Sequence, residues 1–244
     1  MICPCGWIVF DPSLLQNIMI HLYSWPTPNG QKVQILLEEL GAEYKATPVN
    51  ILRGEQFAPE FLAFSPNNKI PAIVDVDGAG AGQSIGVFES GAVLMYLAEK
   101  FERFLPPSRR ERTEALEWLF FQCASLGPML GQATHFRRYA ADAVEYAIQR
   151  YTKEAVRLYG VLERRLAGRE WIAAGEYTIA DIATYPWMVR FRRQGVNLDD
   201  FPNVKTWIDR VSERPAVKRG MDLLKEAAMD TPVDDQARET LFKA

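Results

Sequence analysis

Two hydrophobic periodicities run along this chain, and one replaces the other a little before its middle. Ile20-His21-Leu22-Tyr23, following Met19, suits a short buried strand. The turn formers Pro26-Thr27-Pro28-Asn29-Gly30 come next. Val33, Leu36, Leu37 and Leu40 then recur at helical spacing up to Gly41, where a glycine suits a helix end. Residues 44–50 read as extended, so the chain opens strand, helix, strand, a βαβ unit. Residues 55–64 predict a short irregular helix stopped by Ser65-Pro66. Residues 70–76 read as a strand beginning beside Pro71. Asp77-Gly78 and the Gly/Ala stretch after it read as a hairpin loop, and 84–88 as the returning strand. Residues 90–101 predict a helix with Val93, Leu94, Leu97 and Phe101 on one side. The order is β-α-β-α-β-β-α.

Past Pro106-Pro107-Ser108, the best linker candidate, the pattern is only helical. Residues 111–126 predict one long helix, interrupted at Gly127-Pro128. Residues 142–166 carry Tyr151, Ala155, Leu158, Leu162 and Leu166 on one stripe. Residues 178–191, 204–212 and 215–225 complete the set, and the last dozen residues, being polar, read as frayed. Thr178-Ile179-Ala180-Asp181 has the form of a capping box with Asp in place of Glu or Gln. The helix after it is nearly all apolar, so this cap serves folding. The division that follows is an extension over 1–18, an α/β domain over 19–103, an all-α domain over 108–230 and a tail over 231–244. The extension is apolar and lacks a signal peptide's basic region and cleavage site. It reads as a gene-start artefact ahead of a true start at Met19, or else as a disordered tail.

Composition narrows the function. A length of 244 residues with 48% apolar content suffices for two ordinary domains. A formal charge of −3 offers no basic excess for holding nucleic acid or anionic lipid. No apolar run reaches the ~20 residues of a membrane span. The three cysteines, Cys3, Cys5 and Cys123, are too few and too odd for a disulfide framework and point to a reducing, cytoplasmic compartment. His21 and His135 stand far apart with no zinc-type spacing, so no metal is expected.

Three segments carry candidate chemistry. In Asn67-Asn68-Lys69-Ile70-Pro71, a cis Ile70-Pro71 bond would turn the Ile70 backbone outward, where an extended peptide could pair with it; an ordinary trans proline opening a strand fits equally. In Phe88-Glu89-Ser90-Gly91, Ser90 stands at or near a helix N-terminus that attracts a carboxylate, and Glu89 can take an ammonium group, so the pair matches an amino acid's zwitterionic end; plain capping also accounts for it. The loop 24–30 lies between a first strand and a helix, where α/β folds place their ligands. It holds no thiol; its donors are the Thr27 hydroxyl and the Asn29 amide, though Pro, Asn and Gly also serve turns for backbone reasons.

These segments, in this order within a β-α-β-α-β-β-α module followed by helices, resemble the cytosolic glutathione transferases, over roughly 19–225. Thr27-Pro28-Asn29-Gly30, Gly54-Glu55-Gln56-Phe57, the run 65–71 and Gly127-Pro128-Met129-Leu130-Gly131-Gln132 are similar to the nu class, the bacterial glutathione-dependent disulfide-bond reductases. The resemblance implies a thioredoxin-like α/β N-terminal domain, an all-α C-terminal domain and a homodimer. It implies bound glutathione, or glutathione disulfide, with Thr27 and Asn29 at the sulfur. Gln56 would reach the glycyl end, Lys69 its carboxylate, and Ile70 beside a cis Pro71 the cysteinyl unit. Glu89 and Ser90 would hold the γ-glutamyl group, and Arg150 would face the cleft. Arg157 and Arg164 share the face of Arg150, which also fits a solvated charged stripe.

The implied reaction is reduction of a small-molecule disulfide by bound glutathione, with no enzyme cysteine. The alternatives are conjugation of glutathione to an electrophile, with Phe120, Phe136 and Trp187 as candidates for the second pocket, and glutathione binding without turnover. Tyr23, inside the first strand, and Cys123, mid-helix among Phe120, Phe121 and Leu126, read as packing rather than chemistry.

Overall fold

The computed structural model describes residues 20–78, 82–229 and 235–242. The extension over 1–18, Cys3, Cys5, Met19 and the tip of the Gly/Ala loop lie outside them.

Four strands form one mixed sheet in the order β2-β1-β3-β4. Strand β1 (Ile20–Ser24) runs parallel to β2 (Tyr44–Pro48), with Leu22 opposite Ala46. On its other side it pairs antiparallel with β3 (Ala72–Asp75), which pairs antiparallel with β4 (Ile85–Phe88). Helix α1 (Pro28–Leu40) is the crossover between β1 and β2. Thr27 caps its start and Gly41, at φ 63°, ends it in the left-handed conformation. A single helical turn, α2 (Pro59–Leu62), and helix α3 (Ser90–Lys100) complete this thioredoxin-like domain. Because β1 alternates its faces, Ile20 and Leu22 join the main core, while Tyr23 packs on Phe61 and Phe64 in a smaller cluster.

The second domain is helical. Helix α4 (Arg109–Phe121) passes through a π-turn (Gln122–Leu126) directly into α5 (Gly127–Arg138). The expected break at Gly127-Pro128 is absent. Pro128 lies in the first turn of α5, where its missing N–H costs little, and the wider π-turn accommodates the ring. Helix α6 (Glu145–Leu166) packs on α5. After α7 (Ile179–Met188) come the short α8 (Phe191–Gln194), then α9 (Pro202–Ser212), α10 (Pro215–Asp222) and α11 (Lys225–Met229). The helices expected over 178–191 and 215–225 form as α7 and α10, each ending three residues earlier, with α8 and α11 starting at the last residue of each range. Near the chain end, where fraying was expected, helix α12 (Asp235–Phe242) forms with Ala237 buried.

One core runs through both domains. Helix α1 packs against α3, α7 and α10, and Gly220 of α10 lies so close that a β-carbon there would come within 2.6 Å of the Ile35 Cα. Polar bonds cross the same boundary. Arg214 grips Glu39 with two bonds of 2.6 and 2.8 Å, Arg219 meets Glu38 at 2.6 Å, and the Ile179 N–H reaches the Phe104 carbonyl at 2.9 Å.

The capping box at α7 forms as the sequence predicts. Asp181 is fully buried and accepts from the Ile172 and Thr178 N–H groups, the Thr178 hydroxyl and the Trp207 indole at 2.9 to 3.3 Å. Burial pushes its carboxyl up to about 6 against the pull of those four donors. It thus ties α7 to α9 and to the preceding loop, as well as capping. Asp181→Asn presents an NH₂ where donors converge and is expected to cost about 2–4 kcal/mol of unfolding free energy. Thr178→Ala is expected to cost only about 1 kcal/mol. Urea denaturation of the two variants checks the order.

Candidate functional site

A cavity of about 530 Å³ opens where the two domains meet. Its floor comes from the thioredoxin-like domain: Asn29 and Lys32 from the start of α1, Lys69, Ile70 and Pro71 ahead of β3, and Glu89 and Ser90 at the head of α3. Its roof comes from the helical domain, through Gln122 and Cys123 in the π-turn, Gly127, Pro128, Gly131 and Gln132 on α5, and Trp187 on α7. The segments around Ile70-Pro71 and Gly127-Gln132 therefore face one another across the cavity. Beside the cavity, glycine has a spatial reason at Gly91, where a β-carbon would meet Cys123 Sγ at 2.8 Å; on Gly131 one would only touch the Trp187 ring, at 3.4 Å.

Asn29 is oriented by a donor that cannot reverse. The Trp187 indole N–H donates to Asn29 Oδ1 at 3.0 Å. An indole nitrogen only donates, so the amide oxygen is committed to it and the Nδ2 end is left as the free donor. Thr27 precedes α1, and its Oγ1 accepts from the Gly30 N–H at 3.2 Å. That uses one lone pair and leaves the hydroxyl hydrogen available, though Thr27 is not among the cavity's lining residues. The Ile70–Pro71 peptide is cis, and both residues line the cavity. Lys69 is exposed at the rim.

Glu89 is the N-cap of α3 and Ser90 its first residue, one position later than a cap at Ser90. Glu89 sits at φ 67°, ψ 117°, a conformation that a residue with a side chain rarely adopts, and its carboxylate accepts from Asn67 Nδ2 at 3.3 Å. Strain of this kind gathers at binding sites.

Two more expected residues, like Thr27, are not among those lining the cavity. Arg150 is exposed on α6. Gln56 is buried, donates to the Ile51 carbonyl at 3.3 Å and also stands outside the lining. Of the second-pocket candidates, Trp187 lines the cavity. Phe120 is exposed, and Phe136 stacks on Tyr151 with ring centroids 5.4 Å apart. Tyr23 faces its phenylalanine cluster, where burial raises its phenol above the ordinary value.

Lys32 and Gln122 were not anticipated. Lys32 is 2% exposed, and its ammonium donates to Ser90 Oγ at 3.2 Å and to Gln122 Oε1 at 2.6 Å. Its signal in the sequence is that it shares a helical stripe with Ile35 and Leu36, an odd place for a lysine. Cys123 packs against the core and also lines the cavity, and burial raises its thiol despite the opposing charge of Lys32.

Profiles of known families match both halves: "Glutathione S-transferase, N-terminal domain" over 19–99 and "Glutathione S-transferase, C-terminal domain" over 128–215. The chain belongs to the glutathione S-transferase family. Among its relatives is the disulfide-bond oxidoreductase YfcG of Escherichia coli (strain K12), 49% identical over 216 residues covering 88% of this chain and 100% of that one. A second is the disulfide-bond oxidoreductase YghU of the same organism, 45% identical over 82% of this chain and 73% of that one. A solved glutathione transferase from Pseudomonas putida, holding one glutathione disulfide per subunit, superposes with a TM-score of 0.81 at 44% identity, covering 86% of this chain and 93% of the other. A family member from Pseudomonas fluorescens pf-5 with two glutathione bound gives 0.80 at 45%, covering 85% and 94%.

The strain at residue 89 is testable. Glu89→Gly frees the backbone there and is expected to raise the unfolding free energy by about 1 kcal/mol while removing a carboxylate from the cavity. Denaturation curves measure the first effect, and ligand titration the second.

Proposed function

We propose that this cavity binds glutathione and that the protein uses the bound thiolate to reduce small disulfides, as a glutathione transferase of nu-class type. The observation that carries the reading is the Asn29 amide, fixed by Trp187 so that it offers a donor, at the point in the fold where a dithiol enzyme would hold its cysteines. Donors without a thiol suit a reaction whose sulfurs all come from the ligand and the substrate.

A free thiol has a pKa near ~8.5. A hydrogen bond to the thiolate, worth roughly 1.5–3 kcal/mol, lowers that by about one to two units. In this scheme the Asn29 Nδ2 and Thr27 hydroxyl donate to the sulfur, Lys69 meets the glycyl carboxylate and the Ile70 backbone meets the cysteinyl unit. Beside cis Pro71, that leaves Glu89 for the ammonium of the γ-glutamyl group and Ser90 for its carboxylate. Gln56 toward the glycyl end and Arg150 toward the cleft belong to the same scheme, though, like Thr27, neither is among the residues lining the cavity. The thiolate attacks one sulfur of the substrate disulfide, forming a mixed disulfide and releasing the other half as a thiolate that takes up a proton. A second glutathione thiolate attacks the glutathione sulfur of that mixed disulfide, giving glutathione disulfide and the second substrate thiol. The protein contributes position and thiolate stabilisation. By family likeness the working unit is a homodimer. Its setting is a reducing cytoplasm that keeps glutathione as the thiol.

Purified protein is expected to reduce a small disulfide at the expense of glutathione, followed by coupling to glutathione reductase, and to conjugate a chloronitrobenzene only weakly. Asn29→Ala and Thr27→Ala are each expected to lower the reductase rate on the order of 10²-fold while the circular dichroism spectrum stays unchanged. Strong conjugation without reduction would instead identify a conjugating transferase, and absence of both a binding protein.

A further inference from the structure

Lys32 is a buried cation with no counter-ion of its own. Its two hydrogen-bond partners, Ser90 Oγ and Gln122 Oε1, are both neutral, and among the described residues no carboxylate lies within ion-pair distance of it. Leaving an ammonium out of water without an opposite charge is costly. An ammonium has three hydrogens to donate, so one remains after these two bonds. The residue lines the cavity, on the side where α3 begins.

Its bonds also set the polarity of what surrounds it. Lysine only donates, so Ser90 Oγ is an acceptor toward Lys32 and its own hydrogen must go elsewhere. Gln122 gives its oxygen to Lys32, so its Nε2 points away, buried and with no partner in the protein. A β-carbon on Gly127 would stand 3.0 Å from that nitrogen, and the glycine keeps the space beside it clear. A cation, a hydroxyl hydrogen and the N-terminus of α3 thus converge on one corner of the cavity.

We propose that Lys32 is the anion-binding centre of this cavity, its ammonium and the Ser90 hydroxyl it polarises receiving the free carboxylate of the ligand's α-amino-acid end. The assignment rests on the glutathione reading and deepens it: the site selects γ-glutamyl ligands whose α-carboxylate is intact, with Glu89 on the neighbouring ammonium. The other ionisable groups around Lys32 are Glu89 at the head of α3, Cys123 in the π-turn and Lys69 at the cavity rim. Helix α7 brings Trp187 there, and Arg219 of α10 is spent on Glu38. Burial lowers the Lys32 ammonium to about 8 in the empty protein. An adjacent carboxylate favours the charged form and raises that value, so by linkage binding near pH 8 takes up a proton.

The test is calorimetry of S-methylglutathione, which has no thiol to titrate, at pH 8 in buffers of different ionisation enthalpy. An S-methylated analogue lacking the α-carboxylate, 4-aminobutyryl-cysteinylglycine, runs beside it, with wild type and Lys32→Met. Wild type is expected to take up about half a proton and to prefer the intact tripeptide by at least ~10-fold. Lys32→Met is expected to lose both the uptake and the preference. Equal wild-type affinity for the two ligands, no uptake on binding, or the same uptake in Lys32→Met would each overturn the role of Lys32 while leaving glutathione as the ligand. Failure of the wild type to bind either tripeptide would overturn the glutathione reading and this assignment with it. The wild-type measurements decide the matter even if the variant folds poorly.

Discussion

Helix α1 has no exposed side between Gly30 and Leu37, and the rest of the molecule is arranged around that burial. Residues 30–37 are all buried. Helix α3 packs on it from its own domain, and α7 and α10 from the other. Apolar area removed from water stabilises by roughly 25 cal/mol per Å², and here both domains draw on the same helix for it. Polar side chains on such a helix must find partners inside the protein. Gln31 does so through the Met221 carbonyl and Arg190, Gln34 through Ser24, and Lys32 through Ser90 and Gln122. The domain interface is therefore polar as well as apolar, and the cavity is the gap left where α1 begins and the roof lifts away from it.

This arrangement explains why the site is composite. The thioredoxin-like domain alone supplies the Asn29 amide, but that amide takes its direction from Trp187 in the other domain. Likewise the π-turn brings Gln122 to Lys32 across the boundary. A regular α-helix through residues 122–126 would present a different set of side chains to the cavity, and π-turns are often found where function requires such a displacement.

The fold was legible where one periodicity ruled. The stripe Val33, Leu36, Leu37 and Leu40, the hairpin around Asp77-Gly78 and the box at Thr178-Asp181 all have local causes. Helix α5 is not legible in the sequence because Gly127-Pro128 reads as a stop, and only tertiary packing decides that the chain continues through it. Of the site residues, Asn29, Lys69, Ile70, Pro71, Glu89 and Ser90 line the cavity because each belongs to a loop or helix start fixed by its own turn chemistry. Arg150 sits on a long, regular, mostly solvated helix, where a face cannot be chosen from spacing alone. Lys32 is hidden for the opposite reason: one lysine in a helix is ordinarily solvent-facing, and only the packing of α7 and α10 on α1 makes it internal.

The bond between Trp187 and Asn29 also has an optical side. An indole's emission follows the polarity of its surroundings, and Trp187 is the tryptophan that lines the cavity, while Trp25 and Trp207 are sealed in the core. Whatever fills the gap replaces water against this ring and leaves those two untouched. The protein thus carries an intrinsic fluorophore at the seam between its domains, and a difference spectrum isolates the seam from the rest of the fold.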